Sequence, residues 1–301
     1  MKKISVFFFF LLFICGIYVY AQEVALIVSS DLKVYDICRN SLKEKVKFPL
    51  KEYFAHGDVD NIEEAIADIK RQKVDLVCVV GAKAAQVARD EIEDIPVVFT
   101  LVVNPSQYNL RDTNICGVRA DISPDVVFKY LKELDLGIEK IGVIYSKRNS
   151  NVVEEAKRSA YESGFEVVAE KVESLREVAS KLKDIQNRID AFWVIPDPFI
   201  ANSAAFERLL LISVSRKIPL VVPAAAFVRK GGLIGIDVDY KDLGEQTAEI
   251  INSILDKESS PESIGIQYPR EHRLIINSKM ADKLNISIPA SLLEKAYTVV
   301  K

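Results

Sequence analysis

The residues of this chain that could do chemistry sit where short apolar runs end. Asp197, held between Pro196 and Pro198, follows the run 191–195, and Asp237 follows the run 232–236. Two such carboxylates would serve acid–base catalysis or hold an ammonium group, yet a chain with 43 acidic residues reaches this pattern easily by coincidence. His56 and His272 share no metal-ligand spacing with each other or with a cysteine, which leaves zinc hydrolysis and histidine triads without a basis. No G-x-S-x-G elbow, Walker loop, G-x-G-x-x-G after a strand or H-E-x-x-H occurs, so no catalytic residue, metal or cofactor is expected.

Polar groups recur at the same run ends: Ser29, Ser30, Asn104, Ser146, Asn149 and Asn151. Ser29-Ser30 and Gly81-Ala82 each precede a helical pattern, where free backbone N–H groups suit a carboxylate, or equally an ordinary helix start. Tyr108, Phe199 and Phe227 fall in expected loops and would line an apolar cleft. Phe99, Tyr145 and Trp193 fall inside the runs, where core packing explains them.

The elements that must position these groups alternate. Strands are expected at 24–28, 50–54, 76–80, 97–101, 115–118, 140–145, 166–172, 191–195, 220–222, 232–236 and 273–277. Helices are expected at 32–46, 61–71, 82–91, 124–134, 152–164, 174–187, 201–216, 241–256 and 278–284. Repeated βα units imply an α/β fold with parallel sheets, in which ligands gather beyond the carboxyl ends of the strands. The order over 24–118 repeats over 140–222 without visible sequence identity, which implies two similar lobes and a tail that returns to complete both.

The first 21 residues differ in kind: Lys2 and Lys3, the apolar stretch from Val6 to Ile14, then Val19-Tyr20-Ala21 before Gln22. This reads as a secretory signal peptide, the alternatives being an uncleaved anchor or lipidation at Cys15. That segment has two lysines and no acid, so the remainder carries 38 basic against 43 acidic residues, a net −5. Such a balance offers no broad positive field for nucleic acid. Cys38, Cys78 and Cys116 are an odd set and are expected as free thiols behaving as small apolar groups.

Several segments together resemble the ABC-transporter substrate-binding protein family that includes tryptophan/tyrosine-type binding proteins. They are Ile95-Pro-Val-Val-Phe99 with Asn104-Pro105, Cys116-Gly-Val118, Lys140-Ile-Gly-Val-Ile-Tyr145, Asn151, Phe192-Trp-Val-Ile-Pro-Asp197, Lys217-Ile-Pro-Leu220, Gly235-Ile-Asp237, Tyr240-Lys-Asp-Leu-Gly244, and Leu274-Ile-Ile-Asn277 leading to Ile288-Pro-Ala-Ser-Leu292. The resemblance implies a type I periplasmic-binding-protein fold with three crossovers, near 117–120, 236–239 and 263–266. Lobe 1 would then hold 22–118 and 239–262, and lobe 2 would hold 119–238 and 263–301.

The signal segment would place the chain outside the cytoplasm, where it is expected to be a monomer. By the same resemblance it would capture a small organic solute by lobe closure, with an aromatic or branched amino acid, or a related carboxylate, as the first expectation, and pass it to an ABC permease. The alternatives are a sensor subunit for a membrane receptor and an extracytoplasmic enzyme using Asp197 with Asp237. Family members usually carry Thr-Asp-Pro where this chain has Val103-Asn104-Pro105, a Thr or Pro-rich cap where it has Ala82-Lys83, a polar or Asp-containing segment where it has Ala224-Ala-Ala226, and Asn or Thr where it has Pro198. Their absence removes expected partners of an amino acid.

Overall fold

The computed structural model describes residues 22–110 and 113–301; the expected signal segment, 1–21, lies outside them. Lobe 1 opens with β1 (Val24–Val28), α1 (Lys33–Lys45), β2 (Leu50–Phe54), α2 (Val59–Gln72), β3 (Leu76–Val80), α3 (Ala82–Glu91), β4 (Val97–Val102) and β5 (Ile115–Arg119). The chain then crosses to lobe 2, which holds α4 (Pro124–Glu133), β6 (Lys140–Ser146), α5 (Ser150–Ser163), β7 (Glu166–Val172), α6 (Leu175–Ile185), β8 (Ala191–Trp193), α7 (Ser203–Arg216), β9 (Leu220–Val222), α8 (Ala225–Lys230) and β10 (Ile234–Val238). A second crossing leads to α9 (Tyr240–Leu255), α10 (Pro261–Ile264) and β11 (Ile266–Gln267). A third returns it to β12 (His272–Asn277), α11 (Ser278–Leu284), α12 (Ala290–Lys295) and β13 (Thr298–Val300).

Two sheets result, ordered β11-β5-β4-β3-β1-β2 and β13-β12-β10-β9-β8-β6-β7. The pairings of the first are parallel, and in the second β12 runs antiparallel to β10 because it enters from lobe 1. Both faces of the first sheet are covered, which is why β1 is continuously apolar and fully buried rather than alternating. Val24, Leu26 and Val28 face one core together with α1 and α9, while Ala25 and Ile27 face the other with α2 and α3. Among the described residues no helix is long and apolar enough to cross a membrane.

The third crossing falls later than the expected 263–266. Ile266 and Gln267 pair with Gly117 and Val118, so this short strand belongs to the first sheet and the chain leaves lobe 1 only after it. Two residues are too few for a period of two to be visible in sequence. The free thiols Cys38, Cys78 and Cys116 are buried in one core layer of lobe 1, and burial pushes Cys38 and Cys116 up to about 12.

Helix α9 closes that layer through a close approach at Gly244. A Cβ there would meet the Cys38 carbonyl oxygen at 2.2 Å and the Leu42 nitrogen at 3.0 Å, both backbone atoms of α1. Gly244→Ala is therefore expected to destabilise lobe 1 by about 1–3 kcal/mol, the usual cost of overpacking. Urea unfolding checks this, and a change within about 0.5 kcal/mol, the range of neutral surface substitutions, would mean that α1 and α9 separate freely.

Candidate functional site

The carboxyl ends of the two sheets face each other, and Asn104 makes the contact between them. It follows β4 in a left-handed backbone conformation (φ 44°) and is 1% exposed. Its amide nitrogen donates to the Arg148 carbonyl (2.9 Å), to Asn149 Oδ1 (2.9 Å) and to Asn151 Oδ1 (3.2 Å), and Asn151 Nδ2 donates back to Asn104 Oδ1 (2.9 Å). Lobe 1 thus holds lobe 2 through a reciprocal amide pair. Beside it lies a cavity of about 40 Å³ lined by Asn104, Asp121, Asn149, Trp193, Pro196 and apolar side chains of both lobes. That space suits roughly three waters and no amino acid, so ligand entry requires the lobes to part.

Asp197 stands behind this contact, 1% exposed. Its Oδ2 accepts from the Ser146 backbone N–H (2.8 Å) and Asn149 Nδ2 (2.8 Å), and its Oδ1 accepts from the Phe199 N–H (3.0 Å). The two prolines do aim the carboxylate, and they aim it into the loop after β6, where it orients Asn149. Asp237 is engaged separately: Oδ1 accepts from Tyr240 OH (3.0 Å) and Oδ2 from the Ala225 N–H (3.2 Å). Asp197 and Asp237 share no donor, each being held by its own loop.

The expected anion donors at the start of α3 and α1 are also partly used. Ser29 N–H donates to the Val80 carbonyl (3.1 Å) and Gly81 N–H to the Thr100 carbonyl (2.9 Å), while Ser29 Oγ donates to the same Val80 oxygen (2.7 Å). The Tyr35 hydroxyl covers Gly81, where a Cβ would lie 2.5 Å from it, so only glycine fits at this left-handed position (φ 94°). Burial raises the Tyr35 pKa against the opposing hydrogen bonds from Ser29 and Ser30. Ala82 begins α3 with no side-chain cap before it.

Of the three expected loop aromatics, Phe227 belongs instead to α8, where its ring meets Phe206 edge-on at 4.9 Å and packs on the outer core of lobe 2. The sequence Ala224-Ala-Ala226 carries no turn residue to break that helix, a signal passed over. Tyr108 lies in a 3-10 turn packed against the α2 and α3 side of lobe 1, and the turn's end is held by Arg89, which donates to the Tyr108 carbonyl. Phe199 lines a groove with Ser146, and its ring also rests on the lobe 2 core.

Trp193, expected as core packing, is in the lobe 2 core and also lines the cavity from the end of β8. One further residue of the cleft was not expected from sequence. Asp121 lines it from the first crossing: its Oδ1 accepts from the Asn104 backbone N–H (3.0 Å) and Arg119 Nε (3.0 Å), and its other oxygen pairs with Arg119 Nη2. Burial opposes the Arg119 charge, and Asp121, Tyr268 and Glu155 more than offset it, raising its pKa. The visible signal was Arg119 and Asp121 spaced by one residue at the end of an otherwise apolar strand.

The sequence profile of the ABC transporter substrate binding protein family matches residues 32–300. The chain belongs to this family. It is 26% identical over 241 residues to the tyrosine-binding protein of Clostridioides difficile, covering 77% of this chain and 69% of that one. A crystal structure from Streptococcus pneumoniae, described as an ABC domain in complex with L-Trp, is 26% identical, with a TM-score of 0.65 over 93% of this chain and all of that one. A ligand-free, open substrate-binding protein with adhesive properties from Clostridium difficile shares the fold, with 22% identity and a TM-score of 0.75 over 93% of this chain and 99% of that one. This substrate-binding protein accordingly has the two-lobed α/β architecture of its family, with the Asn104 contact at the cleft.

Proposed function

We propose that this protein works outside the cytoplasm, captures a small organic solute between its lobes and presents it to an ABC permease. The observation that carries this reading is the meeting of Asn104 with Asn149 and Asn151 beside a cavity, in a molecule whose lobes are joined by three strands of chain. A ligand that replaces such contacts with better ones in the closed state shifts the lobes toward it. The relatives bear the names of tyrosine and L-Trp ligands, so aromatic amino acids and their analogues head the solutes to test.

The test uses the chain's single tryptophan, Trp193, which lines the cavity. A captured solute at 100 times its dissociation constant is expected to add about 2.7 kcal/mol of stability. It is also expected to change Trp193 emission and the radius of gyration in small-angle scattering, because the lobes must leave the Asn104 contact to admit it. A solute that stabilises the protein while leaving emission and radius unchanged would place binding outside the cleft and sink the closure reading.

A further inference from the structure

At the carboxyl end of lobe 2, next to the Asn104 contact, a groove of about 390 Å³ lies within the range of small-molecule sites. It sits at the turning point of the sheet: β6 lies between β7 and β8, and the helices after β6 and β8 pack on opposite faces, which opens a crevice between their loops. Ser146, Lys147, Arg148, Val172, Pro198 and Phe199 line it. Among the described residues neither the Lys147 ammonium nor the Arg148 guanidinium takes part in an ion pair or a side-chain hydrogen bond. Glu173, also on the groove, is paired with Lys171 at 2.8 Å, and that pair, with a smaller contribution from the Lys147 charge, holds its carboxyl below the usual range. Ser146 is 5% exposed, and its hydroxyl oxygen is buried with no hydrogen-bond partner.

An amino acid would need a carboxylate for its ammonium group; the three buried or half-buried ones at the cleft are engaged, and Glu173 on the groove is balanced by Lys171 and Lys147. Asp121 is taken by Arg119 and Asn104, Asp197 by three donors, and Asp237 by Tyr240 and Ala225. What the groove offers is positive charge, a buried hydroxyl and an aromatic wall. We propose that it is an anion subsite and that the captured solute is an aromatic or branched carboxylate without an α-ammonium group, an arylalkanoate or 2-oxo acid. The inference rests on the solute-capture reading above. Arg148 and Lys147 receive the carboxylate, with Ser146 Oγ just beneath them, and Phe199, Pro198 and Val172 receive one side of the apolar body. This lining comes from lobe 2 alone, so the groove is the lobe 2 half of the capture site and lobe 1 covers the other side on closure. Because the Arg148 carbonyl accepts from Asn104, filling the groove bears directly on the contact between lobes.

Calorimetry and thermal shift on the full chain test this with 3-phenylpropanoate, phenylpyruvate and 4-methyl-2-oxopentanoate against L-phenylalanine, L-tyrosine, L-tryptophan, L-leucine and phenethylamine. The amine-free acids are expected to bind at least tenfold more tightly than their amino acids, and phenethylamine not at all. Arg148→Gln is expected to weaken 3-phenylpropanoate at least tenfold, and Ser146→Ala several-fold without lowering the melting temperature of the free protein. Amino acids binding as tightly as the amine-free acids would overturn the ligand class and leave solute capture standing. Unchanged affinity in Arg148→Gln would overturn the subsite. If none of these acids binds, the inference falls, and a wider library of sugars and nucleosides then decides whether solute capture falls with it.

Discussion

Replacing Asp197 with alanine is expected to lower the stability of lobe 2 by about 3–5 kcal/mol, because it strands two backbone N–H groups and the Asn149 amide in a buried loop. At about 2–4 °C per kcal/mol for a chain somewhat shorter than this one, the melting transition should fall by roughly 6–20 °C. Asp197→Asn keeps one acceptor oxygen and sets an NH₂ against a donor, so about half that loss is expected. The carboxylate also fixes Asn149, which accepts from Asn104 across the cleft, so the alanine variant should loosen the lobe contact as well. Thermal unfolding with scattering on the same samples measures both effects. A loss below about 1 kcal/mol would mean that water replaces the carboxylate and that Asp197 is free to serve a ligand.

How far the sequence shows this arrangement follows from what each feature depends on. Strands buried on both faces carry their bounds openly: Val24–Val28 and Leu76–Val80 begin and end where the apolar, β-branched runs do. β11 and β13, at two and three residues, exist only because a neighbouring edge pairs with them, and nothing local announces them. The cleft is legible at the level of loops, since polar residues beyond strand ends are where ligands gather. The partners of those residues are not legible. Asn104 and Asn151 lie 47 positions apart and satisfy each other, and whether Asp197 faces a ligand or a neighbouring loop depends on a β6–β8 crevice that only the sheet order creates. Composition hid Asp121 for the same reason, because its role comes from Arg119 beside it and Asn104 across the first sheet.

The crossings between lobes supply the other large expected effect. Arg119, 7% exposed, leaves the first sheet with its guanidinium carbon 4.2 Å from the ring centre of Tyr268, which lies in the third crossing. Tyr268 OH donates to Glu155 Oε1 on α5 (2.6 Å), whose other oxygen lies 3.8 Å from Arg119 Nη1. One cation therefore joins two crossings, a helix of lobe 2 and, through Asp121, the Asn104 loop. Arg119→Ala would leave the Asp121 carboxylate buried without its counter-ion, a loss of about 3–5 kcal/mol when one partner of a buried pair is removed. Arg119→Lys should recover only part of this, because an ammonium lacks the fork that meets both Asp121 oxygens and the flat face that lies on Tyr268. Adding Asp121→Asn to Arg119→Ala removes the stranded charge, so the double variant should be more stable than Arg119→Ala alone. Urea unfolding of the wild type, Arg119→Ala, Asp121→Asn and the double variant gives the coupling between the two residues directly. Additive effects would show that the pair is solvated and that the crossings are held by packing alone, whereas strong coupling makes Arg119 the group through which the cleft loop and the hinge move together.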